Sequence, residues 1–245
     1  MIETFGVSLA SAAVFGAIVT ISAALHRLGG QGFGTVLAPF AALIAPYHTP
    51  ATVLLLGSLV TLTGAGLELR AIRVREIAPA LVGRLLGTLP AVWLVGIVVG
   101  SRYLGLSVAA VILLGVGLSL AGLRVRKTPL MLMAAGGLSG FIGTLTSVGA
   151  APMALIYQHD EARKARATLN TFFMFGVAGS FAALAIAGLV EVRHVRFAAA
   201  MAPMALLGIW LAGPLARRVG GMSLKPIGLS LATLGALLLI WRNAW

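Results

Sequence analysis

The chain contains no cysteine, so it has neither a disulfide framework nor a thiolate metal site. Acidic residues are almost as scarce, six Asp and Glu among 245 residues, and the four histidines lie far apart in sequence. No HExxH or Asp-rich motif occurs, and no paired carboxylates, histidine cluster or serine with a positioned base falls within an apolar run. These shortages argue against a membrane-embedded enzyme and imply no metal and no other cofactor. What is abundant is apolar surface. The chain is 60% hydrophobic and only 10% charged, with a mean hydropathy of +1.04, more than a soluble domain of this size can bury.

Apolar runs fall at 5–25, 51–67, 77–99, 103–122, 130–158, 167–190, 197–215 and 222–241. A helical span needs about 20 residues, so the expectation is an all-α polytopic membrane protein of about eight spans. The runs are long and rich in Gly and Leu, without the period-two alternation of an outer-membrane barrel, which points to a bacterial inner membrane. The opening MIETF carries a glutamate and no basic residue. The first run is therefore expected to be retained as a span, since a secretory signal begins positive.

A net charge of +12 resembles a nucleic-acid signature, but the 18 Lys and Arg are scattered in twos and threes between the runs. That is how loops facing anionic lipid look, so membrane lipid is the expected partner and nucleic acid is not. Alternating the linkers across eight spans puts nine basic residues on one side and seven on the other, too even a division to orient the protein; both termini are expected on the cytoplasmic side. Homo-oligomerisation is left open.

Sliding the chain on itself by 113 residues sets GFGTVLAPFAAL (32–43) over LTSVGAAPMALI (145–156) and aligns Pro39 with Pro152. With small shifts, IRVREI (72–77) lies over VEVRHV (190–195) and LLG (85–87) over LLG (206–208). The shared order of broken segment, span, basic turn and span implies two four-span repeats, 1–123 and 124–245, within one integral membrane domain. An even number of spans per repeat implies parallel repeats.

Both aligned tracts, LHRLGGQGFGTVLAPF (25–40) and GTLTSVGAAP (143–152), are small and polar and contain helix breakers. Glycine is a poor helix former and proline cannot donate an N–H, so each helix is expected to break there. Unpaired backbone at membrane depth is tolerated only beside a polar cavity or protein. The segment 129–158 suits one discontinuous span; 5–46 is too long for a straight crossing and either tilts or turns back into the membrane.

The first tract resembles the sulfite exporter TauE/SafE family, whose glycine-rich element followed by a proline appears here as Gly30, Gln31, Gly32, Phe33 and Gly34, then Pro39. RKARATLNTFFMFG (163–176) is similar to the basic, Ala-Thr-containing entry to that family's sixth span. The likeness covers essentially the whole chain, with Phe33 in place of a glycine and Thr144, Thr146, Ser147 and Ala150 where relatives carry more glycine. It implies a secondary carrier for a small sulfur-containing or carboxylated anion such as sulfite, thiosulfate or a sulfonate.

The residues themselves suit an anion. After each break a half-helix begins with free N–H groups and the positive end of its dipole, so 34–38 and 147–151 form two expected cradles. Small side chains admit an oxyanion to the backbone at Gly30, Gly32, Gly34 and Gly149, while Gln31, Thr35, Thr144, Thr146 and Ser147 offer hydrogen bonds without charge. Small residues also serve plain helix packing. Arg84 lies nine residues beyond Arg75, about 13 Å at helical rise and close to mid-membrane, whereas the six acidic residues all fall near span ends. It either meets the anion or snorkels, or it pairs with Glu68 or Glu76. His26 and Arg27 are a gate or a span end; Thr168 and Asn170 face the second tract or make an interhelical bond.

Proton-coupled carriers keep a carboxylate or histidine at depth, and here only His26 is so placed; the membrane potential alone drives an anion outward, so the expected transport is electrogenic efflux by alternating access. A passive anion channel and proton- or sodium-coupled uptake remain alternatives.

Overall fold

The computed structural model describes residues 6–29, 32–66, 72–99, 101–121, 125–218 and 225–244. The regular structure there is helical: α1 (Leu9–Gly29), α2 (Phe33–Ile44), α3 (Ala51–Gly66), α4 (Val74–Val98), α5 (Arg102–Leu120), α6 (Pro129–Thr146), α7 (Ala150–Tyr157), α8 (Ala162–Ile186), α9 (Val192–Arg218) and α10 (Lys225–Ala244), with a 3-10 turn at Pro46–His48. Seven of them, α1, α4, α5, α6, α8, α9 and α10, are long and apolar enough to cross a membrane. The run expected as the second span forms α3, whose 16 residues make it shorter than the others at about 24 Å.

Polarity is inverted relative to a water-soluble protein. On α4, Arg84 is 1% exposed, whereas Leu85, Leu89 and Trp93 on the same helix are 56%, 66% and 72% exposed. Lipid is the solvent that accepts such a surface, and the chain is a multi-pass membrane protein.

Glycine lets α4 and α6 approach backbone to backbone. A β-carbon on Gly83 or Gly87 would overlap the carbonyls of Met133 and Gly137, and one on Gly136 or Gly140 would overlap those of Ala80 and Arg84. The order of these contacts makes the two helices parallel. α1 and α9 are parallel too, since the Phe15 ring packs at a tilt against that of Phe197 and Thr20 donates to the Met204 carbonyl. By contrast α3 and α8 are antiparallel, with Gly57 against Val177 and Gly64 against Asn170.

Two groups of contacts define opposite faces. On one, Asp160 after α7 pairs with Arg73 before α4 and with Lys127 before α6. On the other, His194 in the first turn of α9 donates to the Tyr47 carbonyl beyond α2 at 2.9 Å and accepts, through its own carbonyl, the Thr52 hydroxyl at the start of α3 at 3.2 Å. Arg242 near the end of α10 donates to the Leu43 carbonyl on that same face.

These contacts revise two expectations. Residues 129–158 do not cross as one discontinuous span: α6 starts at the ion-pair face and α7 returns to it, where the Lys127 ammonium sits 4.2 Å from the centre of the Tyr157 ring. Likewise α1, parallel to α9, starts at the histidine face, and α2 returns there. Each segment is a re-entrant hairpin, and the two enter from opposite faces. Helices made equivalent by the 113-residue register, such as α3 and α8, are therefore antiparallel, which overturns the parallel relation. Three helices, α3, α4 and α5, separate the two hairpins, and an odd number of passages brings the second hairpin in from the opposite face.

Candidate functional site

The tips of the two hairpins meet in the middle of the bundle. α6 ends at Thr146 because Ser147 adopts a left-handed backbone, φ 63, and α7 begins after Gly149. In the first hairpin Gly32 caps α2 at φ 106, a conformation that glycine accepts without steric cost. A β-carbon on Gly34 would overlap the carbonyl oxygen of Ser147. The two breaks thus touch through their backbones.

Around this contact lies a small, partly open cavity. Of the residues expected at the site, His26, Gly32, Gly34, Thr35, Arg84, Ser147 and Gly149 line it together. Gly30 and Gln31 lie outside the described residues. Thr144 and Thr146 are adjacent but do not line it: the Thr144 hydroxyl donates to Ser180 at 2.8 Å and sits 3.2 Å from that of Thr88, and Thr146 donates to the Ile142 carbonyl at 2.6 Å. Arg27, in the last turn of α1, is half-buried and also outside the lining.

Thr168 and Asn170 do not face the second tract. Thr168 accepts the Arg73 N–H at 3.2 Å, near the ion-pair face. Asn170 reaches the first hairpin, its Oδ1 lying 2.8 Å from His26 Nε2, which donates. This bond fixes the ring of a histidine that is 3% exposed and borders the cavity.

Arg84 does not snorkel. Its Nη1 donates to Ser139 Oγ at 2.7 Å, and Ser139 Oγ donates to the Gly149 carbonyl at 2.6 Å, tying the guanidinium to the start of α7. Its Cζ lies 5.2 Å from the Phe172 ring centre and 5.7 Å from that of Phe173, within reach of cation–π attraction. Gly176 leaves the space through which the side chain passes, since a β-carbon there would overlap it. Among the described residues no carboxylate pairs with Arg84: Glu76 is engaged with Arg73 and Lys127 at the ion-pair face. Glu68 lies outside the described residues. Arg84 Nε is buried with no hydrogen-bond partner.

The helix heads overlap the expected cradles, shifted by one residue in the first tract and two in the second. In α2 the Val36 N–H already bonds to Gly32 at 3.0 Å, leaving those of Phe33, Gly34 and Thr35 at the head of the helix. In the second tract the Ser147 N–H bonds to the Gly143 carbonyl at 2.8 Å and that of Val148 to Thr146 Oγ1 at 3.2 Å, so the head of α7 begins at Gly149. Two helix starts and one guanidinium consequently share a cavity with no opposing carboxylate among its lining residues. Such a site is electropositive.

The chain matches the model of the family described as Sulfite exporter TauE/SafE over residues 12–239. It belongs to the TauE/SafE family. Membership makes it a membrane transporter in a family of sulfite exporters and not an enzyme. The family match spans both hairpins and the helices between them. No curated protein and no solved structure matches the chain.

Sequence reasoning missed the α3 wall of the TauE/SafE cavity, Val53, Leu54, Gly57 and Thr61, and the α8 wall, Phe173 and Val177. Phe173 falls inside the RKARATLNTFFMFG stretch that carries the family likeness, a usable signal. Thr61, by contrast, is one hydroxyl in an apolar run. Ser139 had no local signal, because its partner Arg84 lies 55 residues away.

Proposed function

We propose that the protein exports a small oxyanion, sulfite, thiosulfate, a sulfonate or a related carboxylate, across the cytoplasmic membrane of a bacterium by alternating access. The reading rests on one observation: Arg84, 1% exposed and without a carboxylate partner among the described residues, borders a cavity to which both hairpin tips contribute. A buried guanidinium without a counter-charge is costly, and an arriving anion removes that cost. Arg84, the N–H groups heading α2, Thr35 and Ser147 are the proposed ligands, and His26 is their neighbour at the cavity wall.

The chain is proposed to be an inverted duplication, 1–123 and 124–245. Its halves interlock, α1 on α9 and α4 on α6, and each hairpin tip supplies one half of the binding site. Inverted repeats with helix breaks at mid-membrane give a carrier two equivalent ways to open. An exported monovalent anion gains about 2.3 kcal/mol per 100 mV of inside-negative potential, so efflux needs no coupled ion.

The test is flux from proteoliposomes loaded with radiolabelled sulfite. Saturable efflux, accelerated by an inside-negative potassium diffusion potential, is expected. No flux of sulfite, thiosulfate or sulfonates above protein-free vesicles would refute the reading, and non-saturating flux at channel rates would replace the carrier with a pore.

A further inference from the structure

We infer that the ion-pair face, where Arg73, Lys127 and Asp160 meet, is the cytoplasmic face, so that the start of α1 and the end of α10 both lie on the opposite side. The inference concerns orientation and does not depend on which anion is carried.

It follows from the hairpins. Counting residues 129–158 as one crossing places everything after it on the wrong side. Because α6 and α7 enter and leave on the ion-pair face, every later assignment inverts. The helix directions then gather the ends of α3 and α5, the starts of α4 and α6, the end of α7, the start of α8, the end of α9 and the start of α10 on the ion-pair face.

The basic residues whose chain positions are described divide accordingly. Arg73 and Arg75 flank the start of α4, and Arg126 and Lys127 precede α6. Arg163, Lys164 and Arg166 open α8, Arg217 and Arg218 close α9, and Lys225 opens α10. That is ten on the ion-pair face. The histidine face holds four: Arg102 at the start of α5, Arg193 and Arg196 at the start of α9, and Arg242 at the end of α10. Arg27 and Arg84 lie within the bundle's depth, and Arg70 and Arg124 are outside the described residues.

Ten against four, all within a few residues of helix ends, is the asymmetry that orients membrane proteins. Lys and Arg resist translocation against the potential and bind the anionic inner leaflet, whereas acidic residues count for little. The even division of nine and seven came from the miscounted crossing and not from the sequence. Both termini were expected on the cytoplasmic side; instead the first hairpin puts the start of α1, and the second the end of α10, on the histidine face.

Because the natural chain has no cysteine, single cysteines report the side directly. Tyr47→Cys and Glu191→Cys mark the histidine face; His159→Cys and Glu161→Cys mark the ion-pair face, and all four positions are exposed. Intact cells are treated with a membrane-impermeant maleimide, and detergent-solubilised protein sets full labelling. The first pair should label in intact cells at close to the full level, and the second pair at least tenfold less until the cells are permeabilised. The reverse pattern, or labelling of both pairs in intact cells, overturns the assignment. A fusion after Trp245 gives an independent reading that needs no substituted position: alkaline phosphatase should be active there and a fluorescent protein dark. A bright fluorescent fusion with inactive phosphatase would overturn it equally. Sulfite flux enters neither experiment, so failure of the transport reading and failure of the orientation are told apart.

Discussion

The backbone of Gly34 rests against the carbonyl of Ser147, and these two positions align when the chain is slid on itself by 113 residues. Each marks the tip of a hairpin, one entering from either face. A β-carbon at position 34 has no room, so Gly34→Ala should separate the tips and abolish sulfite flux. Gly32 differs: nothing lies within 4 Å of a β-carbon there, but its φ of +106 is strained for other residues. Gly32→Ala should cost about 1–2 kcal/mol through backbone strain and retain more flux than Gly34→Ala. Flux and melting temperature of both variants check the contrast.

Ser139 holds Arg84 in place while donating to Gly149. Ser139→Ala removes a hydrogen bond to a charged group, worth roughly 1.5–3 kcal/mol, and frees the guanidinium to leave its orientation. Sulfite affinity should fall about tenfold to a hundredfold while the protein still inserts. Titration of sulfite into purified protein measures it, and an unchanged affinity would mean that the bond has no part in binding.

The α4–α6 seam should be intolerant of one added methyl group. Gly136→Ala would drive a β-carbon into the Ala80 carbonyl, a form of overpacking that typically costs about 1–3 kcal/mol. On α5, Gly117 is exposed and has nothing within 4 Å of such a carbon. Gly117→Ala should be neutral or stabilise by up to about 1 kcal/mol through helix propensity. Melting temperatures of the pair in one detergent decide between a close helix seam and loose packing.

At the ion-pair face Asp160 meets both Arg73 and Lys127, with 15% of its side chain exposed. Asp160→Asn should lower the melting temperature modestly, and the gap from the unsubstituted protein should narrow at high salt, because pairs near the surface are screened. A salt-independent gap would point to packing instead of charge.

The all-helical apolar character, the two helix breaks and the depth of Arg84 were legible in the sequence because each rests on a local quantity: apolar composition, helix-breaking residues, and a charge far from the end of an apolar run; the count of eight spans was not. Nor was the reversal of direction. A broken helix that continues and one that turns back have the same composition, and only Asp160 pairing with Lys127 and Tyr47 with His194 distinguishes them. That single ambiguity produced both the parallel repeats and the undecided charge count. Arg84 showed its depth but not its partners, since Ser139, Phe172 and Phe173 come from helices distant in sequence.

The central claim is that Arg84 binds the transported anion, and the most direct test is sulfite affinity measured alongside thermal stability in the unsubstituted protein, Arg84→Lys and Arg84→Ala. Lysine keeps the charge but loses the planar fork, so affinity should weaken and some flux persist. Alanine should lose at least tenfold in affinity, together with the upward shift of melting temperature that sulfite gives the unsubstituted protein, while the chain remains inserted. An Arg84→Ala protein that binds sulfite with unchanged affinity would contradict the account.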